Sequence, residues 1–305
     1  MLDRARHEAA GGGLAVDWTI SLPRLGSLTA ATLGDPSVTV AVIDGPVDLE
    51  HPGFAGSSLR AVEGDPRIAC AMDNSMACQH GTVVAGVVSA SRDSGAPGLA
   101  PGCPAIIRPI FAEGTGAGGV IPEVTVDDLV AALRDVLNAG ARIVNLSLGL
   151  ADSALEAHPA LTAAFDEAQR RGVLLIAAGG NQGYVGPVPL FAHPWVLPVV
   201  GCDAHGSPLP DATLGPSVGR YGLMAPGLQV TSLKAGGGTR HMTGSSVAAP
   251  FVAGAAALLW SLVPGATARQ VLDALRYAPA RRGGIVPPLM DAEASLARLR
   301  QQGVV

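Results

Sequence analysis

The sequence predicts an α/β fold in which a mostly parallel sheet lies between helices on both faces, giving three layers. Short runs of aliphatic and β-branched residues recur along the 305-residue chain and alternate with helical segments. These runs carry almost no polar residue, as is typical of parallel strands buried on both faces. Because 48% of the residues are hydrophobic and only 15% are charged, the chain can build one large core.

Strands and helices follow one another in a regular order. Strands are predicted at residues 38–43, 105–111, 142–149, 173–178 and 195–200. Helices are predicted at residues 14–33, 83–90, 126–138, 158–171, 244–260, 267–276 and 291–300. Segments 223–227 and 229–233 lead into the helix at 244–260. A helix between successive strands is the usual crossover of a parallel sheet.

The chain is predicted to form one domain. Residues 1–17 form a flexible arm in this interpretation, because the three glycines at 11–13 offer nothing to pack. Residues 18–305 contain no linker and no internal repeat, so we assign them to a single domain. The oligomeric state has no signature in the sequence.

Charge and hydropathy argue against several classes of partner. The net charge is −5 and lysines and arginines do not cluster, which argues against nucleic-acid binding. No apolar run reaches the length of a membrane span, which argues against a membrane partner. The first residues lack the apolar region of a signal peptide, which favours a cytoplasmic location.

The helix at 244–260 begins with two serines. Small residues surround Ser245 and Ser246, and no charge occurs between 242 and 260, so the helix is predicted to be buried. Free N–H groups and the positive end of the dipole at such a helix start favour a developing negative charge. Taken alone, Ser245 and Ser246 are better explained as helix caps.

Three more polar residues stand where predicted elements end or begin. Asp44 follows the first strand and Asn181 follows the strand at 173–178, at the sheet edge where open α/β folds bind ligands. Each could instead be an ordinary turn residue. His80 is predicted to open a helix, where the dipole disfavours the imidazolium and suits a base that rests neutral.

The order Asp44, His80, Ser246 is that of one of the convergent catalytic triads, and the chain resembles the subtilisin-like serine proteases. The resemblance covers about residues 35–280. Its sequence blocks are 80–86, 144–149, 177–183, 225–227 and 243–250. It implies a subtilisin-like peptidase domain, with Ser246 as nucleophile, His80 as base, Asp44 as its partner and Asn181 in the oxyanion hole.

The resemblance also implies a peptide partner, bound along two segments of the chain. The implied substrate-binding residues are Leu146, Ser147, Leu148, Gly149, Ala178, Gly179 and Gly180. No metal or other cofactor is expected, since residues 91–101 lack the asparagines of the family's calcium loop. Cys78 and His80 lack the spacing of a metal site. The pairing of Cys70, Cys78, Cys103 and Cys202 stays open, although Cys70 and Cys78 are close enough in sequence for a loop-closing disulfide.

The chain departs from the usual family pattern near the triad. Gly45 stands where the family has serine or threonine, Ser245 replaces a threonine, and Val83 replaces a second histidine. Asp44-Gly45-Pro46 and residues 100–111 look like the branch that matures cyanobactins and related ribosomal peptides.

That likeness to the maturation branch implies an endopeptidase that removes a leader peptide through an acyl-enzyme. The alternatives are a macrocyclase or transamidase, a general degradative protease, and a silent fold that only binds peptide. Macrocyclising members carry a helical insertion over the site. No comparable segment lies between Asp44 and His80, which favours simple cleavage.

Overall fold

A computed structural model describes residues 18–62, 70–71, 75–113, 124–147, 158–277 and 284–303. The strands are β1 (Val40–Asp44), β2 (Leu59–Ala61), β3 (Ala105–Pro109), β4 (Ile143–Leu146), β5 (Leu174–Ala178), β6 (Val196–Cys202), β7 (Leu223–Pro226), β8 (Val230–Leu233) and β9 (Thr239–Met242). The helices are α1 (Trp18–Ser21), α2 (Gly26–Ala31), α3 (Met76–Ser89), α4 (Val126–Asn138), α5 (Pro159–Arg170), α6 (Pro216–Tyr221), α7 (Ser245–Leu262), α8 (Ala268–Leu275) and α9 (Ala292–Gln301).

A seven-stranded parallel sheet forms the centre of the fold, in the order β2-β3-β1-β4-β5-β6-β7. The chain order reverses between β1 and β4, so the carboxyl ends of these two strands border a crevice. β8 and β9 form a separate antiparallel hairpin that packs on α3. The predicted parallel α/β architecture is confirmed.

Two buried helices, α3 and α7, cover one face of the sheet. α7 packs along β4, β5, β6 and β7, while α3 packs on β1 and β3 and against α7. α4 and α5 pack together and contact β1, β3 and β5, which supplies the third layer. Val40, Ile43, Val144 and Leu175 in the strands, and Val252 and Leu258 in α7, are all fully buried in one core. The core therefore fixes the carboxyl ends of β1, β4 and β5 relative to the start of α7.

The expectation that no apolar run reaches the length of a membrane span was wrong for α7, the one helix in the described part of the chain whose length and composition would suit one. Its 18-residue window is 83% buried inside the protein. The helix contacts four strands of the sheet and also α3, so mostly aliphatic residues surround it. Its apolar character is thus accounted for by its place in the core.

Several element boundaries differ from the prediction. The single helix predicted at 14–33 is two short helices in its described part, α1 and α2, separated by a turn at Pro23. α6 is a short helix that is absent from the predicted elements. β2 and β9 were also missed, because their partly exposed residues lack the continuous apolar pattern of the buried strands.

Candidate active site

Asp44 is the last residue of β1, and its side chain is completely buried beside α3. Its Oδ1 accepts hydrogen bonds from His80 Nδ1 at 2.7 Å and from the Gly45 N–H at 2.6 Å. Its Oδ2 has no partner among the described residues. A buried carboxylate held by these donors is fixed in position and faces the imidazole.

Gly45 lets α3 approach the end of β1 closely. A Cβ at this position would lie 2.1 Å from the carbonyl oxygen of Ala77 in the first turn of α3. The serine or threonine usual in the family would not fit without moving the helix. The close approach of α3 therefore depends on the absence of a side chain at position 45.

His80 lies one turn inside α3, not at its beginning. α3 starts at Met76, where Ser75 caps it by accepting a hydrogen bond from the Cys78 N–H. The prediction that His80 opens the helix was wrong, because an almost wholly buried helix has no polar face to mark its start.

The pKa of His80 is governed by burial and by Asp44. Burial has the largest single effect and lowers the pKa of His80, but the charge and hydrogen bond of Asp44 together raise the pKa above its ordinary value. Arg240 opposes this rise with a smaller lowering effect. The carboxylate of Asp44, rather than the helix dipole, therefore sets the direction of the shift.

Ser246 completes a continuous hydrogen-bonded line with Asp44 and His80. Its Oγ lies 2.8 Å from His80 Nε2, on the side of the ring opposite Asp44. With Nδ1–H donating to Asp44, Nε2 is free to accept the hydroxyl proton. A hydroxyl, an imidazole and a buried carboxylate in this order can generate a nucleophilic oxygen.

Asn181 lies in the loop after β5 and faces the same point. Its Oδ1 accepts a hydrogen bond from the Ser245 N–H at 2.8 Å, which turns its amide nitrogen toward the nucleophile. A Cβ at Gly244 would lie 2.9 Å from Asn181 Nδ2 and 3.5 Å from Ser246 Oγ. Gly244 has φ of 147°, so this position needs glycine for its backbone as well as for space. The Ser246 N–H, in the first turn of α7, has no intrahelical acceptor.

Ser245 ties the Asn181 loop to the start of α7. Its buried Oγ donates to the Gly180 carbonyl at 3.1 Å and accepts from the Gly201 N–H at 3.2 Å. The alternative explanation of this serine as a helix cap does not apply, because its hydroxyl bonds to residues outside the helix. Its replacement of a threonine retains a hydroxyl that can make both bonds.

A second hydrogen-bonded chain, which the sequence did not reveal, supports the nucleophile from behind. Ser147 Oγ donates to the backbone carbonyl of Ser246 at 2.7 Å, and Asn145 Nδ2 donates to Ser147 Oγ at 2.8 Å. Asn145 and Ser147 are both buried. Their alternation along β4, which puts both side chains on one face, was the available signal.

The predicted substrate-binding residues fall into three groups. Leu146 lies inside the sheet, in register with Ile43 on one side and Ala177 on the other. Ala178 ends β5, and Gly179 and Gly180 lead to Asn181, with the Gly179 N–H and the Gly180 carbonyl already hydrogen-bonded. Leu148 and Gly149 lie outside the described residues. Leu146 is therefore part of the sheet. Within the described residues, Ser147 is the first residue of the predicted binding segment that lies beside Ser246.

A disulfide joins Cys70 to Cys78, so the first turn of α3 is bonded to the segment before it. The neighbouring Ala71 N–H donates to Glu113 Oε2 at 2.9 Å. Cys70, Cys78 and Glu113 are the one group of three metal-ligating side chains within the described residues. The disulfide uses both of its sulfurs. Cys103 and Cys202 are buried free thiols, and burial raises the pKa of Cys202 to about 12.

The chain is similar in sequence to known proteases. Residues 35–293 match the model of the subtilase family. Subtilisin E of Bacillus subtilis (strain 168) is 30% identical over 278 residues, which is 90% of this chain and 68% of that protein. Subtilisin of Bacillus pumilus is 30% identical over 266 residues, which is 86% of this chain and 90% of that protein.

Solved structures extend this similarity. A mutant of the protease domain of PatA is 34% identical, with a TM-score of 0.78 over 89% of this chain and 98% of that one. The prenylagaramide maturation protease PagA is 32% identical, with a TM-score of 0.78 over 91% of this chain and 98% of that one. The PatG macrocyclase in complex with peptide has a TM-score of 0.78 over 92% of this chain and 97% of that one. At 21% identity, however, it shows only the shared fold. The chain belongs to the subtilase family and is a subtilisin-like serine protease.

Proposed function

We propose that the protein cleaves peptide bonds through an acyl-enzyme formed on Ser246. The observation that supports this most directly is the unbroken line from Asp44 Oδ1 through His80 to Ser246 Oγ, with distances of 2.7 Å and 2.8 Å. Ser246 Oγ attacks the scissile carbonyl while His80 Nε2 takes its proton. Asp44 holds the Nδ1–H tautomer and stabilises the imidazolium that forms.

The negative charge of the tetrahedral intermediate develops beside Asn181. Its Nδ2 and the Ser246 N–H are the two donors placed to stabilise that oxygen. His80 then gives its proton to the leaving amine, and water repeats the sequence to release the acid. The hydroxyl, imidazole and amides supply every group that this chemistry uses, so we expect no cofactor.

The substrate backbone would lie beside the segment that starts at Ser147 and the one at Ala178–Gly180. An extended peptide added to such segments bonds through its main chain, which gives affinity with little dependence on sequence. Leu148 and Gly149 belong to this assignment on the family resemblance alone.

We further propose that the substrate is the precursor of a ribosomally made, modified peptide, and that the enzyme acts in the cytoplasm. The support is the similarity over about nine-tenths of the chain to the patellamide maturation protease PatA and the prenylagaramide maturation protease PagA. Cleavage is favoured over macrocyclisation. Between β1 and α3 the described residues contain β2 and one short helical turn at Pro52–Phe54. They contain no helix longer than this turn.

A fluorophosphonate probe and peptide mapping test the proposal together. The probe should label Ser246 in the native protein, and Ser246→Ala should abolish both labelling and cleavage while the circular dichroism spectrum is retained. Cleavage products of a leader–core peptide set are then measured by intact mass, since a cyclic product is one water lighter than a linear one. Undiminished turnover by Ser246→Ala would refute the assignment, whereas folded protein that never labels would point to the silent, peptide-binding alternative.

A further inference from the structure

Arg240 is a residue outside the triad that is bonded to the helix carrying His80. It belongs to β9, the strand that runs directly into Gly244 and the start of α7. Its Nη1 donates to Gln79 Oε1 at 2.9 Å, and Gln79 immediately precedes His80 on α3. The guanidinium is thus held at the residue that precedes His80, although Arg240 and Gln79 are 161 positions apart in the chain.

Gln79 holds the arginine in a defined orientation. Its side chain is only 3% exposed, and its Nε2 donates to the Ala235 carbonyl at 3.0 Å while its Oε1 accepts from Arg240. One amide therefore connects α3 to both ends of the β8–β9 turn. An arginine whose rotamer is fixed in advance loses less entropy when it binds a second partner.

Three further hydrogen bonds fix the hairpin that carries Arg240. Gly236 N–H donates to Asp48 Oδ2 at 3.0 Å, and His51 Nε2 lies 3.0 Å from the Gly238 carbonyl. In β8, Ser232 Oγ donates to the Val83 carbonyl of α3 at 2.8 Å. The hairpin is held at its turn and along β8, so Arg240 is presented from a rigid support.

The positive charge of Arg240 is not neutralised within the described part of the chain. No carboxylate among the described residues forms an ion pair with it, and the side chain is only half-buried. A guanidinium has five N–H donors, so donors beyond the one bonded to Gln79 remain for a further acceptor. Its charge reaches the imidazole, since it acts to lower the pKa of His80. Arginine is the side chain best suited to bind a carboxylate through two parallel hydrogen bonds.

The position of Arg240 indicates which part of a substrate it would meet. The oxygen of the scissile carbonyl lies toward Asn181, while the leaving nitrogen lies toward His80 Nε2, which protonates it. The residues after the scissile bond then pass beside His80 and its neighbour Gln79. Because Arg240 is bonded to Gln79, we place it on this side of the scissile bond.

We propose that Arg240 is a specificity-determining residue that binds a carboxylate side chain, Asp or Glu, among the first residues after the scissile bond. This inference depends on the proposed peptidase function and adds a preference to it. Uncompensated charge on a fixed arginine favours substrates that supply the missing acceptor, because an amide in its place leaves the guanidinium donors imperfectly paired.

Matched peptides provide the test. Peptides with an amidated C-terminus carry Asp or Glu at one of the three positions after the cut, and each is compared with its Asn or Gln twin. The wild-type enzyme should cleave the acidic peptide at one position with kcat/KM about tenfold above its twin, as for a partly exposed charge-assisted pair. Arg240→Gln should bring the ratio to about one, and Arg240→Glu should favour a Lys peptide. A free-acid arm distinguishes a side-chain carboxylate from the C-terminal carboxylate.

Arg269→Gln is the matched control, because Arg269 is exposed on α8 and pairs with Asp273. It should keep the wild-type ratio. Equal cleavage of acidic and amide twins by the wild type, or an acidic preference that survives Arg240→Gln, would overturn the assignment while leaving the peptidase function intact.

Binding to the Ser246→Ala variant decides the question without turnover. Fluorescence anisotropy should give tighter binding of the acidic peptide than of its twin, and adding Arg240→Gln should remove the difference. Peptides that bind with this discrimination but are never cleaved by the wild type would support the role of Arg240 and refute the peptidase function. Equal affinity for both twins would refute the role of Arg240.

Discussion

Ser147 Oγ donates a hydrogen bond to the backbone carbonyl of Ser246 across 2.7 Å. The nucleophile is therefore held from two directions, by His80 at its side chain and by β4 at its main chain. Asn145 Nδ2 in turn fixes the Ser147 hydroxyl. In α7, a carbonyl in the first turn normally accepts from the helix itself, so this extra donor restrains the start of the helix against the sheet.

Ser147→Ala should therefore reduce both stability and turnover. It removes the donor to the Ser246 carbonyl and leaves Asn145 Nδ2 without its acceptor in a buried site, at a cost of about 1–3 kcal/mol. Urea unfolding and kcat measured on the same preparation check the prediction. Asn145→Asp, which replaces the donor by a carboxylate in a fully buried site, should show the same two effects at least as strongly. Unchanged unfolding free energy in both variants would contradict this role.

Asn181→Ala should lower kcat far more than it weakens substrate binding. The amide stabilises a charge that exists only in the transition state, so ground-state binding has little to lose. Removal of the corresponding donor in subtilisin lowers kcat about 100- to 1,000-fold, and we expect a loss of this size.

A control is needed because Asn181 also anchors the Ser245 N–H. Asn181→Asp keeps the acceptor for that N–H and removes the donor to the oxyanion. Its kcat should fall as far as that of the alanine variant while the thermal midpoint is preserved. If affinity fell in both variants and kcat did not, Asn181 would be a binding residue.

The buried strands and the residues that end them could be predicted from the sequence, but the contacts between distant loops could not. Residues 38–43 and 173–178 are apolar runs that end at a polar residue, and so Asp44 and Asn181 were found with their strands. The start of α3 was misplaced because all but one of its residues are buried and no periodicity marks its first turn.

Arg240 and Gln79 show why some of the site could not be predicted. Their contact depends on the docking of the β8–β9 hairpin on α3, and the exposed pattern of β9 does not indicate a strand. The hydrogen bond of the Ser147 hydroxyl was not predicted for a similar reason, since its partner is a main-chain carbonyl 99 positions away. Every residue type carries a main-chain carbonyl, so the identity of a residue does not indicate that its carbonyl accepts such a bond.

Gly45→Ala should destabilise the protein and slow catalysis together. The added Cβ would lie 2.1 Å from the Ala77 carbonyl, so α3 must move away from the end of β1 and carry His80 with it. Overpacking of this kind costs about 1–3 kcal/mol. Thermal unfolding and kcat/KM measure the two effects.

Gly26→Ala is the matched control for this substitution. Gly26 lies in α2, where an added Cβ would meet nothing within 4 Å, and its backbone has no positive φ. The change should leave activity intact and stabilise the fold slightly, by about 0.5–1 kcal/mol, through reduced freedom of the unfolded chain. A Gly45→Ala variant as stable and active as this control would show that α3 does not need the close approach.

The acid limb of the kcat/KM profile should report His80. The pKa of His80 is raised above 6.5 by Asp44 against the opposing effect of burial, and only the neutral imidazole can accept the Ser246 proton. Activity is therefore expected to rise with pH through a midpoint above 6.5. Because the folded state binds the proton more tightly than the unfolded state, the associated stability is present below pH 6.5 and is lost as pH rises through the folded-state pKa.

Arg240→Gln tests the electrostatic part of this account. The guanidinium lowers the pKa of His80, so its removal should move the acid-limb midpoint to higher pH. Arg269→Gln, far from the site on α8, should leave the midpoint where it is. The profile is best measured with an amide-twin peptide, so that carboxylate binding to Arg240 does not contribute. A midpoint that stays fixed, or that moves to lower pH, would mean that the charge of Arg240 is screened from the imidazole, and its influence would then be confined to the substrate.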